Sequence, residues 1–166
     1  MWVAAASVYD NMRTKRTNET ILSTVQAVRS LYASANNTGY SAVNPMTTDL
    51  IAAGVIPQDM LSGSVTVNPW SSTAGSFKVL NATTSVPGDS FQLVFDGLPQ
   101  KACVSLLVSN SQNAQGTGLS NYGIAQSGST TASTAVPTTG IPPNTAATGC
   151  GTAGTNSVAL MYKLKT

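Results

Sequence analysis

From Ile21 onward the apolar positions recur at helical spacing. Ile21, Leu22, Val25, Val28 and Tyr32 form one stripe, with Leu31 beside it and Thr20, Ser23, Gln26 and Arg29 off it. No Gly or Pro interrupts before Gly39, so the pattern predicts one long helix over residues 2–36. At about 1.5 Å rise per residue it would run roughly 50 Å, longer than a domain of this size needs. Its two halves differ. Residues 2–9 carry Trp2, Val3, Val8 and Tyr9 among Ala and Ser, and residues 10–19 are strongly polar. The back half is expected to pack on a domain and the front half to project from it. The opening stretch, MWVAAASVYDNMRTKR, has no capping Ser, Thr, Asp or Asn ahead of Trp2. It therefore reads as the middle of a helix, with an apolar segment expected in front of it.

Beyond the helix the period changes. NNTGYSAVNP (36–45) is a turn cluster. TTDLIAAGVIP predicts a short helix, with Thr47 or Thr48 as cap and Gly54 as stop. SVTVNPW (64–70) predicts a strand ended by Pro69, and GSFKVLNA (75–82) alternates Phe77 and Val79 against Lys78 and Leu80. SFQLVFDGL (90–98) is the clearest strand, with Phe91, Leu93 and Phe95 on one face. PQKACVSLLV (99–108) spaces Ala102, Cys103, Leu106 and Leu107 for a helix behind Pro99, with a strand as the alternative. NYGIA (121–125) offers a short strand at best. From Gln126 to Asn156 the chain is Ser, Thr, Gly, Ala and Pro, a composition compatible with disorder. It runs into NSVALMYKLK, where Val158, Leu160, Tyr162 and Leu164 alternate with Ala159, Met161, Lys163 and Lys165. A loop pinned at both ends is the expectation. One long helix followed by mostly antiparallel strands is an α+β class. No internal repeat is evident.

Composition narrows the setting. The 166 residues suffice for one domain with a real core. Only 8% are charged, against about 25% for an average soluble domain. Ser and Thr fill about a quarter of the chain, far above ordinary usage. Solubility through hydroxyls and amides is common in secreted and cell-surface proteins. The net charge is +2, and the basic cluster is confined to Arg13, Lys15 and Arg16. That is a solvated helix face, without the dense stripe of a nucleic-acid binder, so nucleic acid is not expected as the main partner. No apolar run long enough to span a membrane and no intact signal peptide occurs in this sequence.

The candidate chemistry is mostly exclusion. There is no histidine, which removes Ser-His and Cys-His pairs and the commonest general base. No S-x-x-K, P-loop or G-x-G-x-x-G occurs. The acids Asp10, Glu19, Asp49, Asp59, Asp89 and Asp96 are scattered. Asp89 and Asp96 could meet as a carboxylate pair or help hold Ca²⁺, but both sit beside Gly, as turn-forming Asp does. No enzyme activity, cofactor or metal is expected. Two cysteines without CxxC make a zinc site unsuitable. Cys103 and Cys150 are either a redox pair or a structural disulfide, and a secreted-type composition favours the disulfide. Such a bridge would close about fifty residues, worth about 4 kcal/mol in the chain-entropy account. Three Asn-x-Thr triplets, at Asn18, Asn36 and Asn81, match the glycosylation acceptor pattern, and chance explains them in a chain of this composition.

The order of these pieces resembles the type IV pilins of Gram-negative bacteria. The resemblance is to the type IVb class, and within it to the bundle-forming and thin-pilus major subunits. GYSAVNPMTTDLIAAGVIPQDML resembles the family's segment after the long helix, and VTVNPW its Asn-Pro-aromatic turn. GLPQKACVSLL is similar to the segment holding the first cysteine of the family's disulfide, and GC…NSVALMYK to the second cysteine and terminal strand. The likeness covers most of residues 20–166. Ser71 and Ser72 stand where the family often has two glycines, and residues 109–149 are not matched in detail.

That resemblance implies a single pilin domain over 1–166: the helix at 2–36, a connecting region at 37–63 and a disulfide-bounded variable region at 103–150. It implies a structural subunit that polymerises with copies of itself into an extracellular fibre used for adhesion, aggregation or cell-to-cell DNA transfer. It also implies an inner-membrane state before assembly, a prepilin peptidase that cuts and methylates the N-terminus, an assembly machinery, and a host-cell or bacterial surface receptor. Trp2, Val3, Val8 and Tyr9 become candidate subunit contacts, Cys103 and Cys150 the disulfide, and 37–63 and 103–150 the outer-contact regions. The alternatives are a minor pilin or pseudopilin on the same fold, or a secreted adhesin or carbohydrate-binding module stacking sugars on Trp70, Tyr122 and Tyr40.

Overall fold

The computed structural model describes residues 2–32 and 46–165, with the side chains of the first helix described from Val8 onward. Helix α1 (Trp2–Leu31) comes first, then α2 (Met46–Ala52) and a short two-stranded ladder, β1 (Leu61–Ser62) with β2 (Val65–Thr66). The main elements follow: β3 (Phe77–Thr83), β4 (Pro87–Leu98), α3 (Gln100–Ser111), α4 (Ala114–Thr117) and β5 (Leu119–Ala125). The chain ends with β6 (Thr134–Ala135), α5 (Pro143–Gly149) and β7 (Asn156–Lys163). The expected turn cluster at 36–45, the last residues of the expected helix and Tyr40 lie outside the described residues.

The five-stranded sheet has the order β3-β4-β7-β5-β6, with every neighbouring pair antiparallel. The C-terminal strand therefore lies in the middle, between β4 and β5. Its alternation is real, but both faces are covered, and Asn156 through Tyr162 are all buried. Val158, Leu160 and Tyr162 join Phe77, Val79, Phe91, Leu93 and Phe95 on the side where α1 and α3 pack. Ala159 and Met161 join Val94 and Ala82 on the other side. The fold is α+β, an N-terminal helix packed on an antiparallel sheet, and Cys103 and Cys150 form a disulfide.

Several local expectations change. Leu22, placed on the buried stripe, is 43% exposed, while Thr17 and Thr24 are buried to 1% and Thr20 to 8%. The packed face of α1 is Thr17, Thr20, Ile21, Thr24, Val25 and Val28. A threonine can bond its hydroxyl back to the helix, as Thr17 does to the Arg13 carbonyl at 2.9 Å, and so bury in a core-facing position. A stripe drawn from strictly apolar residues is therefore rotated from the true one. α2 begins at Met46, so Thr47 lies inside it. The Thr47 hydroxyl instead donates to the Val79 carbonyl (3.0 Å) and accepts from the Val79 N–H (2.9 Å), closing part of the free edge of β3. The expected strand at 64–70 shrinks to two residues of β2. Asn68 accepts from the Trp70 and Ser71 N–H groups and donates to the Ser76 and Asp96 carbonyls, folding NPW into a turn. Residues 99–108 resolve to the helical alternative.

The Ser/Thr/Gly-rich stretch is neither free nor merely pinned at its ends. It crosses the outer face of the sheet. Ala132 is buried to 5%, its N–H donates to the Gln92 side chain (2.9 Å), and the Thr130 N–H donates to the Ser157 hydroxyl (3.2 Å). Farther on, the stretch folds into α5, whose Ala146 is fully buried. Small side chains make this crossing feasible, because a backbone can lie flat on a sheet only where nothing bulky stands between them.

Candidate subunit-contact surface

The back half of α1 is locked to the domain by more than its apolar face. Arg29 donates to the Lys163 carbonyl (2.8 and 3.0 Å) and to the Thr117 carbonyl (2.8 Å), joining the helix to the ends of β7 and α4. Lower down, Asn110 on α3 donates to the Asn18 side chain (2.9 Å) and accepts from the Tyr162 hydroxyl (3.4 Å). Burial pushes the Tyr162 phenol far up, with Arg29 pulling slightly the other way, so this bridge stays protonated. With its side chain engaged within a packed helix, Asn18 is a poor glycan acceptor.

Among the described side chains of the front half, the apolar ones are not held in this way. Val8 and Tyr9 are each 57% exposed, and Met12 is 66% exposed. The Arg13 guanidinium sits 4.3 Å from the centre of the Tyr9 ring and donates to its hydroxyl, so even the local contacts leave the aromatic edge in water. Arg16 pairs with Asp59 at 3.0 Å and spans from helix to domain. Beneath that pair is an open groove of about 650 Å³, lined by Tyr9, Met12, Arg13, Glu19 and Pro69 among others. Of the candidate contacts, Val8 and Tyr9 thus stand exposed on the projecting helix, and the side chains of Trp2 and Val3 lie outside those described. Met12 was missed in the sequence, although it follows Val8 by one helical turn. Leu31, also exposed, was read only as a neighbour of the stripe.

The other candidates are structural. Cys103 near the start of α3 and Cys150 just after α5 are both buried, and the Gln100 side chain donates to the Cys150 carbonyl at 3.0 Å. Trp70 and Tyr122 are half-buried and packed against the main core, not aligned as an open platform. Asp89 and Asp96 do not meet as a site. Asp96 pairs with Lys78 (2.7 Å) and accepts from the Ser157 hydroxyl (2.6 Å). Asp89 accepts from the N–H groups of Thr84, Ser85 and Val86 and from the Thr84 hydroxyl. Partial burial pushes the Asp89 carboxyl up. The hydrogen bonds from Thr84, Val86 and Ser85 outweigh it and hold the carboxyl well below the usual range. Asp89→Ala is expected to destabilise the soluble chain by about 2 kcal/mol at neutral pH, the scale of lost charge-assisted hydrogen bonds. A depressed folded-state pKa gives stability that is fully present above the ordinary value of 3.8 and is lost as pH falls through the folded value. The gap between parent and variant in urea titrations should therefore hold at pH 7 and narrow below pH 3.8; a gap independent of pH would remove the carboxylate from the turn's energetics.

Among the described residues no group of three or more metal-type ligands comes together, and no helix is long and apolar enough to cross a membrane. What the arrangement offers is a rigid domain carrying a projecting, partly apolar helix.

Comparison with known proteins gives three findings. The chain matches the family model described as Bundlin over residues 6–165. No curated protein matches it in sequence. Among solved structures it is similar to a type IVb pilin from Salmonella typhi, with 22% identity and a TM-score of 0.57 over 89% of this chain and 99% of that one. It is also similar to TcpA, a type IV pilin from the Vibrio cholerae El Tor biotype, with 19% identity and a TM-score of 0.59 over 92% and 99%. An NMR structure of the type IVb pilin PilS from Salmonella typhi aligns with 21% identity and a TM-score of 0.53 over 90% and 95%.

Proposed function

The chain belongs to the Bundlin family, and from that membership we propose that it is a structural subunit of a type IVb pilus serving adhesion, bacterial aggregation or cell-to-cell DNA transfer. Pilins of this family are structural subunits, not enzymes, and form extracellular fibres of their own copies. The observation that carries the reading for this chain is the exposure of Val8, Tyr9 and Met12 on the projecting half of α1. Apolar side chains held clear of their own domain gain from burial against neighbouring copies. In the fibre, Trp2, Val3, Val8 and Tyr9 make helix-to-helix contacts in the interior, and the globular domains tile the outside. The regions 37–63 and 103–150 supply outer contacts. Few charges and many hydroxyls suit that tiling, since like charges repeated along a fibre repel. Before assembly the subunit is held in the inner membrane, is processed by a prepilin peptidase and is delivered by an assembly machinery; the finished fibre meets a receptor on a host or bacterial surface.

The test is made on native material. The surface fraction is sheared from cells producing the protein, and the dominant band is analysed by intact mass and N-terminal sequencing. A methylated N-terminus on an apolar extension ahead of Trp2, on the most abundant sheared protein, is the expected result. The same processing on a scarce component would make it a minor pilin. A soluble protein absent from fibres would leave a secreted binding module.

A further inference from the structure

One exposed apolar feature lies at the opposite end of the molecule from the groove beside α1. Val86, at the tip of the β3–β4 hairpin, is 63% exposed. The tip that carries it is fixed. The Asp89 carboxylate gathers the N–H groups of Thr84, Ser85 and Val86 at 2.7–3.0 Å, and the Asp89 N–H returns to the Val86 carbonyl at 2.9 Å. Ordering a loop costs conformational entropy, and within one chain Val86 gains no burial from it. A rigid apolar knob is preorganised to enter a hole elsewhere.

The hole is the groove at the foot of the domain, where Tyr9 and Met12 stand exposed beside Pro69. Its lining mixes the bases Arg13, Lys15 and Arg16 with the acids Glu19 and Asp59 beside the apolar Met12 and Pro69, a setting with room for an apolar side chain. The two features cannot meet within one molecule. The Leu164 N–H donates to the Asp89 carbonyl and Arg29 donates to the Lys163 carbonyl, which places the tip at the C-terminal end of α1. Asn68 donates to the Asp96 carbonyl, which places Pro69 and the groove at the far end of β4. From Asp89 to Asp96 the extended strand β4 separates these two anchors by roughly 23 Å.

We propose that the Val86 tip of one copy seats in the groove between α1 and Pro69 of the next copy, against Tyr9 and Met12. This deepens the pilin reading and rests on it. Knob and hole lie at opposite ends of one chain, so the contact is heterologous. A heterologous contact whose rotation does not close a ring propagates as an open helix, which is the geometry a fibre of identical subunits requires. The family's fibres of self-copies make a second copy the occupant.

The test uses a Met12→Cys/Val86→Cys double variant of the full chain in cells that assemble fibres, with mild oxidation of the sheared fraction. The native cysteines are buried in their own bridge and do not compete. Non-reducing gels are expected to show a ladder of dimers, trimers and longer species from the double variant and none from either single variant. Fibres at parental yield that run as monomers would overturn the contact and leave the pilin reading intact. Should the double variant not assemble, Val86→Lys decides the matter, since it removes the apolar knob and brings a further cation to a groove already lined by three bases. A fibre yield lower by roughly tenfold, the effect of losing one well-packed contact, with the melting temperature of the soluble chain unchanged, supports it. Parental yield overturns it. Absence of the parent chain from fibres would sink the underlying reading as well.

Discussion

Replacing Cys103 and Cys150 together by Ala lowers the stability of the soluble chain by about 4 kcal/mol. The bridge joins residues 47 apart in sequence, and the closed loop contains most of α3 and all of α4, β5, β6 and α5. Without the bridge the unfolded chain regains the entropy of that loop, while the folded chain loses only two small buried sulfurs. For a domain of this size the melting temperature should fall by roughly 10 °C. The segment nearest Cys150 is held otherwise by Ala146, by Ile141 and by the Gln100 side chain. Local opening of α5 should therefore precede global unfolding, and hydrogen exchange at the Ala146 and Cys150 amides, which close on Pro142 and Ala146, should speed up most. Fibre yield should fall with it, because the region 103–150 is proposed to contact neighbours. Parental fibre yield in the double variant would separate the disulfide from assembly, and a stability loss below about 1 kcal/mol would show that packing alone fixes the loop.

Gly123→Ala is expected to cost about 3 kcal/mol, the upper range for overpacking a tight core. Gly123 lies in β5 beneath the strip that crosses the outer face. A Cβ built there would lie 2.0 Å from the Thr131 carbonyl oxygen and 2.7 Å from its carbon. Both are backbone atoms, so no side chain can swing aside. Either β5 moves within the sheet or residues 130–132 lift from it. Lifting breaks the bonds from Ala132 to Gln92 and from Thr130 to Ser157 and uncovers Val94, Ala159 and Met161. Hydrogen exchange separates the two routes: loss of protection confined to the Thr130 and Ala132 amides means lifting, and loss along β5 means a strand shift. Parental stability with unchanged exchange would refute the close approach.

The elements most legible in the sequence were those whose side chains obey a single period. β4 announces itself through Phe91, Leu93 and Phe95, and β7 through Val158, Leu160 and Tyr162, because large residues on one face must alternate. The exposure of Val8 and Tyr9 was also legible, since they sit ahead of a mostly polar stretch at residues 10–19. The rest was hidden for specific reasons. The buried face of α1 uses Thr17, Thr20 and Thr24, which a stripe of strictly apolar residues leaves out. β5 is interrupted by Gly123, which weakens any strand signal, yet only glycine fits under the crossing strip. The outer-face strip is built from Ser, Thr, Ala and Gly, so its composition resembles that of a disordered tail; burial of Ala132 depends on partners far away in sequence. The fixed hairpin tip follows from five hydrogen bonds converging on one carboxylate, and Asp beside Gly reveals only a turn.

The place of β7 has a consequence for how the protein comes into being. β4 and β5 both keep an open inner edge until the last strand arrives, because Ser90–Leu98 and Leu119–Ala125 find their partners only in Asn156–Lys163. The β4–β7 pairing spans α3, α4, β5, β6 and α5, the longest separation between neighbouring strands of the sheet, so it carries a large loop-closure entropy, and non-local pairing of this kind slows folding. Without those residues the sheet is unfinished, Arg29 loses the Lys163 carbonyl and keeps only that of Thr117, and Asn110 loses the Tyr162 hydroxyl. The seating of the stalk thereby depends on a segment far from it in sequence: Arg29 finds the Lys163 carbonyl only once β7 is in place.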